Sequence, residues 1–391
     1  MFEKLKSKKV FGKVIIAIVV MSLSGCGAVL QNPEIKTAEF QKELKKQTAL
    51  LSKYQKKSKS DSAILRLFKS QYEYDAYLSN FMDNILVKNK DLCRHKMYSA
   101  GIQFSEKVVI NPKGVGKSFQ NFPQVYGISD NFPAVKSGLK KGDIILTLNN
   151  TKVVNMSVKD IAKKLNTRKN NALRVYRPSD KKRYSVKVAG KTSCEMLLYT
   201  YDDKNLNATA DGSIVRMHSG LIDFLAKEQY IQAVLAHEVA HNILAHRYSA
   251  KRNSTTGLVL GALLGAVIAN QNGGDKDKYA EDFSKLGAGI ANMKYSHEFE
   301  AEADYLSVYL LARSGYKFND VHNTWRRMSL LSSNTSSLGS TTTHPATPKR
   351  FVALTKTIKE IHKKQKINSA LLPYFKESNL TEILNKQVGV Y

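Results

Sequence analysis

The sequence predicts an α+β protein in which a β-rich domain is inserted into a mostly helical core with a small sheet. Three segments with different hydrophobic patterns support this prediction. Residues 34–92 carry apolar side chains at helical spacing, among them Ile64, Leu67, Phe68, Tyr74, Tyr77, Phe81 and Ile85. Residues from about 100 to 190 have alternating or continuous apolar runs between Gly, Asn and Pro, which is typical of strands and turns. From residue 221 onward the helical spacing returns.

Length and composition indicate a globular chain. Its 391 residues have room for two or three domains, and 42% are hydrophobic while 24% are charged. The mean hydropathy is negative, which excludes a polytopic membrane protein. The net charge of +28 indicates an anionic neighbour, either a membrane surface or nucleic acid. Because the basic residues are scattered and form no compact patch with aromatics, we expect no nucleic-acid partner.

The amino terminus has the pattern of a secretory signal peptide over residues 1–25. A lysine-rich start is followed by an apolar run over 14–21 that is too short to span a bilayer. The run ends in the string LSGC at residues 23–26, which resembles the bacterial lipobox. This resemblance implies that Cys26 is acylated and holds the mature protein on an envelope membrane, facing the periplasm. Gly27, where an Asp would favour retention in the inner membrane, favours the outer membrane. An uncleaved anchor, or a plain signal with an incidental cysteine, is the alternative.

The β-rich segment resembles a PDZ domain of the bacterial protease type. The matching string is PAVKSGLKKGDIIL at residues 133–146, followed by the turn Asn149-Asn150 and a helix over 157–165. The resemblance implies a PDZ domain over 98–192 that binds extended peptides by adding a strand to a sheet edge. Residues 114–119 or 124–128 are candidates for its carboxylate-binding loop. A scaffold insert that binds no ligand is the alternative.

Two cysteines flank the insert. Cys93 and Cys194 stand just outside its two ends, and the ends of a PDZ domain lie close together. In an oxidising compartment the two thiols are therefore expected to form a disulfide, and two buried free thiols are the alternative. These cysteines also mark the remaining boundaries, with helices over 34–93 and the core over 194–391.

A metal-binding pattern follows the insert. The string HEVAH at residues 237–241 lies in an amphipathic helical stretch. Because residues at i and i+4 share a helix face, His237 and His241 can bind one Zn²⁺. Glu238 lies beside them, where it can polarise the attacking water and carry its proton to the leaving amine. The sequence therefore predicts one zinc ion per chain at a catalytic site.

A catalytic zinc site needs a third protein ligand. Glu300 is the better candidate, since it lies in a second predicted helix with Asp304 one turn further on the same face. Asp304 would then orient a zinc-binding imidazole through its second ring nitrogen. His246 is five residues after His241, and we interpret it as a helix-end residue or one that supports the ligands.

Together these motifs resemble the zinc peptidase family of CAAX prenyl endopeptidases and HtpX, and above all its soluble bacterial lipoprotein branch of the β-barrel-assembly-enhancing type. Further matches are the strings NATA at 207–210 and THP at 343–345. The resemblance implies a zincin-like (gluzincin) core and the ligands and base named above. It also implies that His344 can close onto the metal as an inhibitory fourth ligand, and that Arg350 belongs to the active-site region, where it helps to hold the substrate or the oxyanion.

Two further segments bear on the membrane and on access to the site. The glycine-interrupted apolar run over 257–269 predicts a buried helix or an interfacial segment rather than a membrane span. The Ser/Thr-rich stretch 332–343 predicts a mobile loop just before His344.

Two functions of different class follow from the sequence. The first is a zinc endopeptidase that cleaves unfolded or misassembled envelope proteins, with the PDZ domain capturing peptide segments. The second is a lipid-anchored PDZ scaffold or chaperone with little or no proteolytic activity. Glu238 favours the first, because a structural zinc site does not need a carboxylate beside an open position.

Overall fold

A computed structural model describes residues 37–57, 68, 70–247, 249, 297–333, 344 and 347–374. Several sequence predictions therefore lie outside the described residues. They concern the signal segment 1–25, Cys26, the apolar run 257–269 and most of the Ser/Thr-rich stretch.

The described residues form eight α-helices and eleven strands. The helices are α1 (Thr37–Lys57), α2 (Gln71–Lys88), α3 (Val158–Asn166), α4 (Ser219–Leu225), α5 (Glu228–Ile243), α6 (His297–Arg313), α7 (Val321–Ser333) and α8 (Pro348–Lys366). The strands are β1 (Lys96–Ser99), β2 (Ile102–Ser105), β3 (Gln124–Ile128), β4 (Ile144–Leu148), β5 (Thr151–Lys152), β6 (Asn170–Arg177), β7 (Lys182–Ala189), β8 (Lys191–Cys194), β9 (Leu197–Tyr201), β10 (Ala208–Ala210) and β11 (Ile214–His218). This confirms the predicted α+β class with a β-rich segment between helical parts.

The chain divides into two compact units. The larger comprises Pro33–Ile243 and Asp304–Pro373, and the smaller comprises Met1–Asn32, Leu244–Ala303 and Tyr374–Tyr391. Among the described residues the smaller unit is represented by 244–247, 249, 297–303 and 374.

The β-rich segment is an antiparallel sheet in the order β2-β3-β4-β6-β7, with β5 paired to β4. Helix α3 covers it with the buried side chains of Ile161 and Leu165. Its amino terminus is capped by Ser157, whose hydroxyl accepts the backbone N–H of Asp160. Strand β3 pairs on both sides, so residues 124–128 are not a free carboxylate-binding loop, and that part of the prediction is wrong.

The turns of this sheet need particular residues. Asn149 and Asn150 both have positive φ, 49° and 63°, which is the turn that joins β4 to β5 tightly. Gly142 has φ +93°, and the next residue, Asp143, accepts the backbone N–H of Lys140. Arg177 at the end of β6 forms a bidentate ion pair with the buried Asp143, with N–O distances of 2.7 and 2.8 Å. The charged pair thus closes the turn that begins β4.

The insert is attached to the core at its two ends. A disulfide joins Cys93 to Cys194, with their Cα atoms 5.5 Å apart. Beyond it, β1 pairs antiparallel with β8, so that Lys96 lies opposite Cys194. Helix α2 packs against β8 and β3, and it is buried through Leu78, Phe81, Met82, Ile85 and Leu86.

A second, three-stranded sheet follows the insert in the order β10-β11-β9. Strand β9 runs parallel to β11, and β10 runs antiparallel to it. Helix α5 packs on β10 and β11, which sets the position of the metal-binding pattern relative to this sheet.

In the part of the chain that the structure describes, no helix combines the length and the apolar character needed to cross a membrane.

Candidate metal centre

Helix α5 carries the metal-binding pattern in a nearly dry environment. It begins after Ala226, whose positive φ of 57° ends α4. From Ala233 to Asn242 every residue of α5 is buried, and His237, Glu238 and His241 are at most 1% exposed. Burial of three polar side chains costs free energy unless they have partners. These three groups therefore need polar partners or a bound ion on the buried face of α5.

The ring nitrogens of three histidines converge. The Nε2 atoms of His237 and His241 are 3.0 Å apart, and the Nδ1 atom of His344 lies 3.3 Å from His237 Nε2. Tetrahedral ligands at a zinc–nitrogen distance near 2.0–2.1 Å stand about 3.3 Å from one another. The donor set, made of imidazole nitrogens in a buried pocket, therefore fits a metal ion of the kind that imidazole binds, and zinc is one of these.

Glu238 and His344 face each other beside these nitrogens. His344 Nε2 is 3.5 Å from Glu238 Oε1, and both side chains are buried. A cavity of about 10 Å³ adjoins the pair and is lined by Leu206, Asn207, Ala208, Leu221, Val234, Trp325 and Met328. This space is too small for a substrate side chain.

Asp304 links the ring of His237 to the buried guanidinium group of Arg350. Its Oδ1 is 3.1 Å from His237 Nδ1, and Arg350 donates to both carboxylate oxygens at 2.7 Å. Burial alone would raise the pKa of Asp304, but the charge and hydrogen bonds of Arg350 and a weaker contribution from His237 lower that pKa below its ordinary value. Asp304 is thus an anion that fixes the orientation of the His237 ring.

Arg350 is held by two partners. Its guanidinium group pairs with Asp304 and stacks over the ring of Trp325, 4.1 Å from the ring centre. Trp325 in turn contacts His237 edge-on, with ring centres 4.7 Å apart. These contacts place Arg350 in the region of the site and give it a role in positioning Asp304.

Glu300 and His246 belong to the smaller unit. Glu300 lies in the first turn of α6, is 1% exposed, and precedes Asp304 by one helical turn. His246 is buried, with its Nε2 3.1 Å from Glu302 Oε2 and its ring stacked on Phe299. This pairing agrees with the interpretation of His246 as a helix-end residue. It also assigns Glu302, which the sequence analysis left without a role, to His246.

Trp325 is the residue of the site that the sequence analysis missed. It is the only tryptophan of the chain, and it lies in α7 at 2% exposure. A single tryptophan in an amphipathic helix was the available signal, but helical spacing does not tell which helix the ring contacts.

Comparison with known proteins agrees with this geometry. Residues 186–358 match the model of peptidase family M48, and residues 101–175 match the PDZ domain model. The chain therefore carries a metallopeptidase domain of family M48 together with a PDZ domain. This confirms the family resemblance given by the HEVAH, Glu300 and Asp304 pattern.

Three similar proteins illustrate the two parts. The mitochondrial metalloendopeptidase OMA1 of Schizosaccharomyces pombe is 25% identical over 200 residues, which is 49% of this chain and 57% of OMA1. A putative beta-barrel assembly-enhancing protease of Vibrio cholerae is 30% identical over 133 residues, 32% of this chain and 27% of that protein. The solved HtrA3 PDZ domain bound to a phage-derived ligand is 20% identical with a TM-score of 0.21, and it covers 25% of this chain and 88% of that domain. The chain thus spans less than two thirds of either curated relative.

Proposed function

We propose that this chain is a zinc-dependent endopeptidase that cleaves unfolded or misassembled proteins of a bacterial envelope. The observation that carries the proposal is the convergence of the buried His237, His241 and His344 nitrogens beside the Glu238 carboxylate. The names of two similar proteins, the metalloendopeptidase OMA1 and the protease of Vibrio cholerae, support the reaction class.

The metal ligands in this proposal are His237, His241 and Glu300. Glu300 is buried, and it lies one turn from Asp304 on α6, the residue that contacts His237. A carboxylate at i and a second at i+4 share one helix face, so the turn that presents Asp304 to His237 also favours Glu300 as a ligand. Two imidazoles and one carboxylate are a known set for catalytic zinc.

A zinc ion held there would act as a Lewis acid that polarises the peptide carbonyl and lowers the pKa of water. Glu238 takes the proton of the attacking water through its carboxylate and passes it to the nitrogen of the leaving amine. Asp304, held by Arg350, keeps the His237 ring in the orientation that turns Nε2 toward the ion. The buried surroundings of α5 exclude bulk water and strengthen these interactions.

His344, which lies beside Glu238, can act as an inhibitory fourth metal ligand (a latch) or stabilise the oxyanion. Its contacts favour the latch. Its ring lies within 3.5 Å of both His237 and Glu238, where as a fourth ligand it would displace the attacking water. A four-ligand site is the inert arrangement of zinc. Activation would then require His344 to move away, whereas a catalytic His344 would stay and bind the oxyanion.

The location in this proposal is the periplasmic face of a bacterial envelope membrane, with the outer membrane favoured. A lipid on Cys26 would supply most of the membrane affinity, together with the positive net charge. The β-barrel assembly named for the Vibrio cholerae relative supports this placement. Peptide segments of the substrates would bind the PDZ domain.

Metal analysis and a proteolysis assay test the proposal. We expect about one zinc ion per chain, hydrolysis of denatured casein, loss of that hydrolysis on chelation and its return with zinc. His237→Ala should lose the zinc. If the metal-free protein cuts casein as fast as the zinc-loaded one, the proposal is wrong. If it prevents aggregation without any cleavage, the chain is a scaffold or chaperone.

A further inference from the structure

A slot borders the outer edge of strand β2. Strand β2 is the last strand of its sheet, and it hydrogen-bonds to β3 on one side. On its other side a cavity of about 180 Å³ runs along residues 101–104. Its walls come from α3 of the insert, through Val158, Ala162 and Leu165, and from α2 of the core, through Ser79, Met82 and Leu86. An edge strand offers unpaired backbone groups, and this one faces apolar side chains on both walls.

The slot has the chemistry that receives an extended peptide. Every pairing in the insert's sheet is antiparallel, so an added strand that continues the pattern runs antiparallel to β2. Its carboxyl-terminal end would then lie beside residues 99–101, which lead into β2. A volume of about 180 Å³ is below that of a site for a whole small-molecule ligand. It suits one aliphatic side chain that anchors a longer segment.

A carboxylate of the protein itself stands at that end of the slot. Asp83 of α2 accepts hydrogen bonds from Ser99 Oγ at 2.8 Å, Ser129 Oγ at 2.5 Å and Gln103 Nε2 at 3.2 Å. Asp83 also lines the slot and is half-buried. Its negative charge therefore lies where the terminal carboxylate of an added peptide would arrive.

The backbone donor at the same place is already used. Gly101 donates its N–H to Ser99 Oγ at 3.2 Å, and the Ser99 hydroxyl donates to Asp83. Gly101 has φ +66°, and a Cβ there would collide with Phe132 at 2.4 Å. The turn is thus held in one conformation by Ser99 and Phe132. The Gly101 N–H that the terminal carboxylate of a peptide would use is therefore already bonded to Ser99, and Ser99 is bonded to Asp83.

We propose that Asp83 makes the β2 edge select extended internal segments of unfolded polypeptides over free carboxyl termini, an inference that rests on the proposed binding of substrate segments by the PDZ domain. An internal segment has no terminal charge to place against Asp83, and it continues past residues 99–101. The apolar walls favour an aliphatic side chain in the slot. This interaction does not depend on the metal centre, so it can be tested apart from proteolysis.

Paired peptides provide the test. Fluorescein-labelled decapeptides tiled along β-casein are made as carboxyl-terminal acids and as amides, and their binding to the full-length zinc-loaded Glu238→Gln protein is measured by anisotropy. We expect a subset of tiles to bind, with each acid no tighter than its amide. N-methylation of alternate backbone nitrogens in a bound tile should abolish binding, because it removes the strand hydrogen bonds.

Two variants localise the effect. Asp83→Asn keeps the shape of the side chain and removes its charge. It should raise the affinity for the acid peptides by about fivefold or more, because a close like-charge contact is lost. The affinity for the amide peptides should change by less than about twofold. Asp130→Asn is the matched control, since Asp130 also bonds to α2, through Asn80 at 2.9 Å, and does not line the slot. Ala162→Phe should block both acids and amides by filling the slot, with thermal unfolding as the check on folding.

Three results would overturn the proposal. One is a wild-type protein that binds the acids more tightly than the matching amides. Another is binding that survives backbone N-methylation or Ala162→Phe in a folded protein. The third is an array in which no tile binds.

Discussion

At the scale of single residues, Asp304 connects the candidate metal centre. It contacts His237 on one side and forms a bidentate pair with Arg350 on the other, and Trp325 covers the guanidinium. A ring orientation fixed in this way keeps the coordinating nitrogen pointed at the metal, which raises metal affinity. The position of Asp304 one turn after Glu300 was readable in the sequence. Its arginine partner was not, because 46 residues separate the two.

Loss of the Asp304 contacts should therefore weaken metal binding. Asp304→Asn and Arg350→Lys are each expected to lower zinc affinity by about 10- to 100-fold, the usual effect of removing a group that orients a ligand. Arg350→Lys keeps the charge but cannot form the bidentate pair. Competition with a chelator, followed by the fluorescence of Trp325, measures the affinity. Unchanged affinity in both variants would show that the pair acts on folding alone.

The contacts of His344 with His237 and Glu238 favour its role as a latch. If its ring holds the site closed, His344→Ala should raise the initial rate of casein cleavage by about three- to tenfold, as expected when a closed state of about 70 to 90% occupancy is removed. His362→Ala, which changes an exposed imidazole in α8, is the control. A clear fall in rate with zinc retained would instead assign His344 to stabilisation of the oxyanion.

Sequence reasoning worked at this scale where spacing alone determines neighbours. His237, Glu238 and His241 are brought together by one helical turn, and so are Glu300 and Asp304. It failed where a contact depends on how elements pack, as with Trp325, which was not singled out. The carboxylate Asp83 was missed for the same reason, since its three partners come from the insert.

At the scale of elements, the disulfide and the β1–β8 pair define how the insert joins the core. The cysteines are 101 residues apart in sequence, so the bond closes a long loop and lowers the conformational entropy of the unfolded state. The sequence indicated that pairing because the two thiols flank the insert. It did not indicate that α2 borders the β2 edge, because the face that a helix presents to a distant strand is a matter of tertiary packing.

Removal of the disulfide should destabilise the protein without stopping its folding. We expect the double variant Cys93→Ser/Cys194→Ser to lower the free energy of unfolding by about 2–5 kcal/mol. Denaturant titration of the variant and of the oxidised wild type measures the difference. The wild type in the presence of a reductant is the matched reference. An unchanged midpoint would mean that the β1–β8 pairing alone holds the ends of the insert.

The contact between α2 and the insert should depend on pH through Asp83. Burial raises the pKa of Asp83 to about 6 from an ordinary 3.8, against the lowering effect of the Ser129 and Ser99 hydroxyls. Because the folded state favours the protonated acid, its contribution to stability is full below 3.8 and is lost as the pH rises through about 6. The wild type should therefore lose more stability between pH 5 and pH 7.5 than Asp83→Asn. Equal pH slopes in the two proteins would contradict this.

At the scale of the whole molecule, the sequence combines a predicted lipid attachment site, a strongly positive net charge and a metallopeptidase domain. Together they favour a membrane-tethered protein that meets its substrates at a lipid surface. Segment composition and local motifs predicted the fold class and the presence of both domains. The helical core and the β-rich insert each leave strong periodic and turn patterns in the sequence.

Tethering is tested at Cys26. Cys26→Ser should release the protein from the membrane fraction, because one residue would carry the lipid that supplies most of the affinity. Gln31→Ala, five residues further on, is a control that leaves the cysteine in place. If the Cys26→Ser protein still sediments wholly with membranes after a high-salt wash, another segment is the anchor.

The most direct test of the proposed chemistry is Glu238→Gln, compared with Glu228→Gln. Both replace a glutamate of α5, but Glu228 is exposed in the first turn whereas Glu238 lies beside the histidines. Glu238→Gln should keep its zinc and lose casein hydrolysis by a factor of about 100 or more, the usual contribution of a general base. Glu228→Gln should match the wild type. A zinc-loaded Glu238→Gln protein that cleaves casein at the wild-type rate would contradict the account.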